Sequence, residues 1–563
     1  MAKTGAELLV EALAAQGART AFGVPGESYL AVLDALHDSQ IRFVLGRHEG
    51  GCAFMAEAWG KLTGQPGIAF VTRGPGATNA AIGVHTAMQD STPMILFIGQ
   101  IETTMREREA FQEIDYRAFY GGVAKWATEI DSADRVPEIV ARAFHVALSG
   151  RPGPVVVALP EDVLTGLSEA RVHPRPILPP WPGLAPEALA EAQRLLAGAV
   201  RPVAFIGGGG WDISGRDGRA ALAAFTAFAE AAQIPIVVEF RHQDLIDNGS
   251  PAYIGDAGFG IAPHVRKVLD EADLVLAVNI RFGETDTDGY SLFGLPTPRQ
   301  KLVHVHPSDD ELGKVLQADL ALHGSPAAFL AALSRADTAH DPSRADWAAG
   351  ARAGYEASFD LPPQPGRLDL GAVMAHLRAV LPEDAIVTNG AGNFAIWPGR
   401  LLRYGPKHRL LGPEAGAMGA GLPAAVAARL ACPERLVLCF AGDGDIQMTM
   451  TELGTAMQAG AQPVVLVFNN GSYGTIRMHQ EKTYPGRVSG TELVNPDFVA
   501  IGRAYGMHAE QVETAEAFAE AFARARSSAT GALLELIVDT EALTPKATLS
   551  QIRAAAEARK AGA

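Results

Sequence analysis

With 563 residues the chain is long enough for three or four domains with sizeable cores, and 48% hydrophobic with 20% charged residues is the balance of an ordinary globular α/β protein. A net charge of −16 argues against nucleic acid or an anionic membrane as the main partner, because both call for a basic surface, and says little about small anionic substrates. Cys52, Cys432 and Cys439 make an odd set with no CxxC and no metal-site spacing, so a reducing, cytoplasmic setting is expected.

The opening MAKTGAELLVEALAAQG is amphipathic and lacks the apolar core of a secretory signal, and no later stretch is apolar for long enough to span a bilayer. It predicts a helix over 4–16, followed by a strand over 20–24, a turn at Pro25-Gly26, a helix and a strand over 41–45. Arg47-His48-Glu49-Gly50-Gly51 leads into a helix around 53–62 and a strand over 67–72. After Arg73-Gly74-Pro75-Gly76 come a helix over 78–88 and a strand over 93–98. This alternation is that of a doubly wound sheet and sets a first domain at 1–170.

Residues 172–187, VHPRPILPPWPGLAPE, are too proline-rich for a helix or central strand and read as a semi-rigid connector. From 188 to 335 helix and strand alternate again through VAFIGGGGW, IPIVVEF, DLVLAVNI and KLVHVHP. The glycines from Gly207 to Gly210 are followed by no Lys-Ser/Thr and lack the third glycine of GxGxxG, so close backbone packing explains them better than a nucleotide. This middle domain reads as structural, or as the holder of part of an inert cofactor. A loose stretch over 336–367, with a helical island around Trp347, precedes a third domain at 366–545 and a cationic helical tail at 546–563.

The strongest signal lies at 436–476. Apolar runs over 436–440 and 463–468 read as buried parallel strands, and 446–458 between them has helical spacing, which makes a βαβ unit. Gly442-Asp443-Gly444 and Asn469-Asn470-Gly471 therefore stand at the carboxyl ends of neighbouring strands. Asp443, the Asn470 side chain and a nearby carbonyl suit the oxygen shell of Mg²⁺ shared with phosphates. Gly442 and Gly444 allow close approach, and a helix beginning near Asp445 turns N–H groups toward an anion. An Asp that merely caps a helix is the plainer alternative. Thr86-Ala87-Met88-Gln89 before PMILFIG repeats as Thr455-Ala456-Met457-Gln458 before PVVLVFN, so the first and last domains read as one βα unit used twice, with metal ligands in the second alone.

GDG followed about 25 residues later by NN, together with RHE and GAMG in the same order, resembles the thiamine diphosphate enzymes of the pyruvate decarboxylase, acetolactate synthase and benzaldehyde lyase group. The resemblance runs through nearly the whole chain and implies three parallel-sheet α/β domains: pyrimidine-binding, middle and diphosphate-binding. It implies Mg²⁺ on Asp443, Asn470 and the Ser472 carbonyl. Glu49 would activate the aminopyrimidine of a cofactor bound mainly by a second subunit, although its place at a helix N-terminus also suits a plain dipole role. Met418 would be the wedge under the bent cofactor, though a Met in a small-residue run is as often core. The Gly416 carbonyl would be the acceptor for the cofactor's amino group. Asn389, Gly390, Asn393, Gly442, Gly444, Asp445, Pro25, Thr72 and Asn79 complete the cofactor contacts that the resemblance implies.

The implied reaction is decarboxylation of a 2-oxo acid with transfer of the enamine to an acceptor carbonyl, by a transferase or lyase acting as a homodimer or homotetramer with sites at subunit interfaces. Phe111, Gln112, Lys125 and Phe394 are pocket candidates by the same likeness. Departures gather around the acceptor. His479 stands where acetolactate synthases carry a tryptophan, Thr285 where an arginine is expected, and Glu27-Ser28 in place of GA. A missing arginine removes a charge-assisted carboxylate partner worth ~2 kcal/mol. His479 and Glu27 read equally as new acid–base groups or as a solvated histidine and a capping glutamate. FAD is compatible with the resemblance, but YIGDAGFG replaces the GMHG that usually accompanies it. The rival within the class is a lyase or carboligase acting on 2-hydroxyacyl thioesters, aldehydes or benzoin-type ketols. A noncatalytic binding relative is opposed by the presence of Glu49 and Asp443.

Overall fold

The computed structural model describes residues 2–213, 217–335 and 342–561, so part of the expected loose stretch at 336–367 and the last two residues of the tail lie outside the described residues. Runs of three to seven residues, the central ones apolar and buried on both faces, become the strands of three parallel six-stranded sheets. The first contains β1 (Thr20–Gly23), β2 (Arg42–Leu45), β3 (Gly67–Val71), β4 (Met94–Gln100), β5 (Trp126–Glu129) and β6 (Pro154–Pro160), in the order β2-β1-β3-β4-β6-β5. The second contains β7 (Pro202–Ile206), β8 (Ile236–Glu239), β9 (Tyr253–Ala257), β10 (Leu274–Val278), β11 (Lys301–His306) and β12 (Leu320–His323), in the order β9-β8-β7-β10-β11-β12. The third contains β13 (Ile386–Asn389), β14 (Arg409–Leu411), β15 (Val437–Gly442), β16 (Val464–Asn469), β17 (His508–Val512) and β18 (Ala532–Ile537), in the order β14-β13-β15-β16-β18-β17. The first and third sheets share one strand order, and the repeated Thr-Ala-Met-Gln segments precede the equivalent strands β4 and β16. This supports the reading of one unit used twice.

Two helices begin earlier than their apolar periodicity predicts. Glu49–Thr63 starts where His48 Nδ1 accepts the Gly50 N–H at 3.0 Å and stops at left-handed Gly64, φ 68°. Pro75–Gln89 starts on a proline, whose missing N–H costs nothing in a first turn. The single helix expected over 446–458 is a correction: one turn at Asp443–Ile446 is followed by a separate helix Glu452–Ala459. Between them Gln447 Nε2 donates to the Asp443 carbonyl at 2.9 Å and Thr449 Oγ1 to the Gly419 carbonyl at 2.6 Å, side-chain bonds that replace a continuous ladder. Among the described residues no helix is long and apolar enough to cross a membrane.

Helix Glu49–Thr63 packs on helix Gly421–Ala431 with alanine and glycine on both faces, so the first and last domains share one hydrophobic core. The tail forms a helix, Leu549–Ala561, against helix Gly474–Thr483. There the buried Glu481 carboxylate takes Arg553 Nε at 2.8 Å and its second nitrogen at 2.6 Å.

All three domains meet at a buried charged junction. Lys61 donates to Asp90 at 2.5 Å and to the Gly412 carbonyl at 2.7 Å, while Glu414 accepts from His242 and Arg281, each at 2.6 Å. Burial pushes the Glu57 carboxyl up to about 8 against the pull of Lys61. It raises Glu414 as well, but Arg281 and then His242 outweigh it and hold that group at about 2. Glu57 is thus protonated in the folded protein while an unfolded glutamate titrates near ~4.3, so the folded state binds the extra proton and its stability falls as pH rises from about 5 to 8. Glu57→Gln, which keeps the neutral shape, should flatten that part of the profile in denaturant melts between about pH 5 and 9. An unchanged slope would show that Glu57 is not the group responsible.

Candidate active site

In open parallel sheets ligands gather outside the strand carboxyl ends, where neighbouring connections leave in opposite directions. In the third sheet that switch lies between β13 and β15. Asn389, the last residue of β13, is fully buried. Its Nδ2 donates to the Gly390 carbonyl at 2.6 Å, and its Oδ1 has no protein partner. Asp443 follows β15 and is 3% exposed. Its Oδ1 accepts the Gly444 N–H at 2.9 Å and its Oδ2 accepts from Asn495 Nδ2 at 2.8 Å. Burial raises the Asp443 carboxyl above its ordinary range, with these donors opposing.

The same Asn495 amide donates to Asn469 Oδ1 at 2.8 Å, so one side chain joins the loops after β15 and β16. Asn470 Oδ1 accepts the Ser472 N–H at 3.1 Å, Ser472 Oγ is buried without a partner, and the Ser472 carbonyl accepts from Gly474 at 2.8 Å with a lone pair to spare. The structure thus brings Asp443, Asn470 and Ser472 to one rim, where a carboxylate, an amide oxygen and a carbonyl form an all-oxygen donor set for a hard divalent cation.

Asp445 stands in the helical turn Asp443–Ile446 beside this rim. Its carboxylate is turned inward, where Oδ1 accepts from Ala391 at 3.0 Å and Gly419 at 2.9 Å, and burial pushes it up to about 7. It fills the space a side chain on Gly390 would need. The GDG, VTNGAGN and GAMG segments are thereby fastened together, which places Gly416 at the surface and Met418 half-buried beside the same loops. The Phe394 ring occupies the room left by Gly392 and Gly442. Asn393 bonds helix Gly474–Thr483 through Thr475 at 2.8 Å and Met478 Sδ at 3.5 Å, and His479 is exposed on that helix.

In the first sheet the switch lies between β1 and β3. Ser28 Oγ and Thr72 Oγ1 are 2.9 Å apart across it, and the Tyr29 hydroxyl donates to the Val24 carbonyl beside Pro25. Glu49, half-buried on the first helical turn after β2, accepts from Asn79 Nδ2 at 2.9 Å. Its carboxylate bonds its own domain and not the Asp443 or Asn470 loops of the same chain.

Arg73 and Asn495 carry no functional expectation from the sequence, yet both organise the site. The Arg73 guanidinium pairs with Glu27 at 2.7 Å and with Glu161, and its Nε donates to the Phe111 carbonyl at 3.1 Å, so it anchors Glu27, Phe111 and left-handed Gln112 on one wall. Glu27 is therefore an ion-pair partner rather than a helix cap, and Phe111 is 70% exposed. A lone asparagine 25 residues beyond NN gave no visible signal. Lys125 is a correction: it precedes β5 at the amino end of the sheet and donates to the Val146 and Ser149 carbonyls at 2.6 and 2.8 Å, closing a helix end instead of lining a pocket.

Three family models match the chain in order: "Thiamine pyrophosphate enzyme, N-terminal TPP binding domain" over residues 3–119, the central domain of the same family over 189–333, and its C-terminal TPP binding domain over 390–536. An acetolactate synthase large subunit of Parasynechococcus marenigrum is 33% identical over 551 residues, 95% of this chain and 87% of the relative. The acetolactate synthase isozyme 2 large subunit of Escherichia coli is 32% identical over 521 residues, 90% of each chain. The mitochondrial acetolactate synthase catalytic subunit of Saccharomyces cerevisiae is 30% identical over 560 residues, 95% of this chain and 81% of the relative.

Asn495→Leu removes the donor shared by Asp443 and Asn469 and should lower divalent-cation affinity about 10- to 100-fold, as loss of an outer-shell partner does. Titration of Mg²⁺ against intrinsic fluorescence in the presence of thiamine diphosphate checks this, and wild-type affinity would remove Asn495 from the site.

Proposed function

The chain belongs to the thiamine pyrophosphate enzymes, and on that premise we propose that it decarboxylates a 2-oxo acid and joins the retained acyl unit to an acceptor carbonyl, using thiamine diphosphate and Mg²⁺. The observation that carries this reading is the joining of Asp443 to Asn469, the neighbour of Asn470, through Asn495, beside the unpartnered buried oxygens of Asn389 and Ser472. These residues fit the cofactor's charged end: Asp443, Asn470 and the Ser472 carbonyl would hold the cation on the diphosphate. Thiamine diphosphate, when bound, supplies the nucleophilic carbon and the electron sink that 2-oxo acid decarboxylation needs.

The remaining work falls to side chains. Glu49, brought by a second copy of the chain, would hold and release a proton at the pyrimidine N1′, and the Gly416 carbonyl would accept from the neighbouring amino group. Met418 would fix the bend between the two rings, and Phe111 and Phe394 would keep water from the reacting carbon. Asn393, Gly442, Gly444, Pro25, Thr72 and Asn79 remain proposed contacts on the two faces of the crevice.

A second reading rests on one specific feature of the acceptor side. Arg281 is committed to Glu414 at 2.6 Å, Thr285 replaces the expected arginine, and Arg73 is already shared by two carboxylates. An acceptor lacking a carboxylate, such as an aldehyde, a thioester or a ketol, suits that wall better than a second 2-oxo acid.

One contact disfavours flavin in both readings. At the middle-sheet switch the Gly208 N–H, which would meet a dinucleotide phosphate, donates to the buried Glu239 carboxylate instead. Asp286 accepts from Phe240 N–H at 3.0 Å close by. Glu239, His242 and Glu414 have ligand-type atoms within 4.8 Å of one another, but Arg281 already compensates Glu414, which leaves little attraction for a second cation.

Glu49→Gln should leave thiamine diphosphate affinity nearly intact and slow hydrogen exchange at the cofactor C2, followed by NMR, by at least about 100-fold. Unchanged exchange would refute the role of Glu49. A product screen with pyruvate, glyoxylate, aldehydes and acyl-CoA substrates separates the two readings of the acceptor.

A further inference from the structure

The turn that carries Glu49 is held from a different domain. Glu452 opens the helix Glu452–Ala459, and its side chain is fully buried. Its Oε1 accepts the Arg47 N–H at 3.2 Å and the His48 N–H at 3.0 Å, and its Oε2 takes the Thr455 hydroxyl at 2.5 Å. These two N–H groups immediately precede Glu49, the first residue of its helix, where the aligned peptide dipoles favour a negative charge.

The local sequence accommodates this carboxylate. A side chain at Gly51 would collide with Glu452, so that glycine in RHEGG keeps open the space the carboxylate enters. The contact continues along the helix. Arg47 reaches Gln458 Oε1 at 2.6 Å, Arg42 reaches the Ala459 carbonyl at 2.6 Å, and the Thr455 hydroxyl also lies 3.3 Å from the Leu45 carbonyl. Glu49 is therefore fixed on three sides: its preceding N–H groups by Glu452, the next turn by His48 Nδ1 to Gly50, and its own carboxylate by Asn79.

We infer that Glu452 is the positioning residue for Glu49, an interdomain cap that sets where the activating carboxylate stands. The inference rests on the proposed role of Glu49. Its geometry, however, belongs to one chain and needs no bound cofactor. The βαβ segment that offers Asp443 and Asn470 to the cation also supplies, from the helix between those loops, the group that orients the proton-handling residue of the sister domain.

The test compares Glu452→Gln with Glu452→Asp and Glu452→Ala. Gln keeps an oxygen at the length needed to accept both N–H groups. Asp keeps the charge but loses the reach. In the apo protein, hydrogen–deuterium exchange of the peptide spanning 45–51 should quicken in the Asp and Ala variants and stay protected in Gln. In the loaded protein, Asp and Ala should lower kcat about 10- to 100-fold, the scale of a misplaced catalytic group, with thiamine diphosphate affinity unchanged, and Gln should restore most of the rate. Placed on Glu49→Gln, Glu452→Asp should cost nothing further, because the group it positions is already gone. Unaltered exchange at 45–51 would overturn the cap itself. Quickened exchange with a full, additive loss on Glu49→Gln would overturn its action through Glu49. The exchange measurement stands even if no turnover is found, so a failure of the proposed reaction is told apart from a failure of the cap.

Discussion

A carboxylate withdrawn from water must be met by donors, at a cost of several kcal/mol if it is not, and this molecule repeatedly uses that requirement to pin one loop to another. Asp443 is met by Gly444 and Asn495, Asp445 by Ala391 and Gly419, Glu452 by Arg47 and His48, and Glu414 by His242 and Arg281. In three of the four cases the donors include backbone N–H groups at the end of a strand or the start of a helix, so what becomes fixed is the main chain around the crevice. Apolar packing brings the sheets together, and the buried acids then decide the register of their loops.

The two outer domains have the same strand order but opposite equipment. After β15 and β16 the last domain presents the oxygens of Asp443, Asn470 and Ser472 with a bridging amide from Asn495. The corresponding ends of β3 and β4 in the first domain carry Thr72-Arg73-Gly74 and Gly99-Gln100, and the distinctive acid, Glu49, stands after β2. One architecture therefore serves a charged end and a heterocyclic end of the same ligand in the proposed reading. The middle domain has a different order, and its own switch point is closed by Glu239, Asn279 and the contact with Glu414. It meets the last domain through His242 and Arg281, which both bond Glu414.

Much of this was legible in the sequence because it rests on short-range signals. Strand positions follow from apolar runs, GDG and NN mark strand ends, and the repeated Thr-Ala-Met-Gln marks the duplication. What the sequence hid lies at long range. Nothing around Asn495 announces that it spans two loops, and Glu452 reaches a turn some 400 positions away in the chain. Lys125 looked like a pocket cation because a family motif surrounds it, yet its place before β5 sends it to the wrong end of the sheet. The break between Asp443–Ile446 and Glu452–Ala459 was invisible for a related reason, since helical periodicity persists across residues whose side chains bond elsewhere.

The shared core between helices Glu49–Thr63 and Gly421–Ala431 carries a practical consequence for anyone dissecting the molecule. Each helix offers its neighbour a smooth face of alanine and glycine, with few charged groups to keep it soluble once uncovered. Excising either outer domain would bare that face, so a truncated fragment should clump or seek a substitute partner. Complementation by co-expressing two fragments, rather than study of either alone, is the dissection this architecture permits.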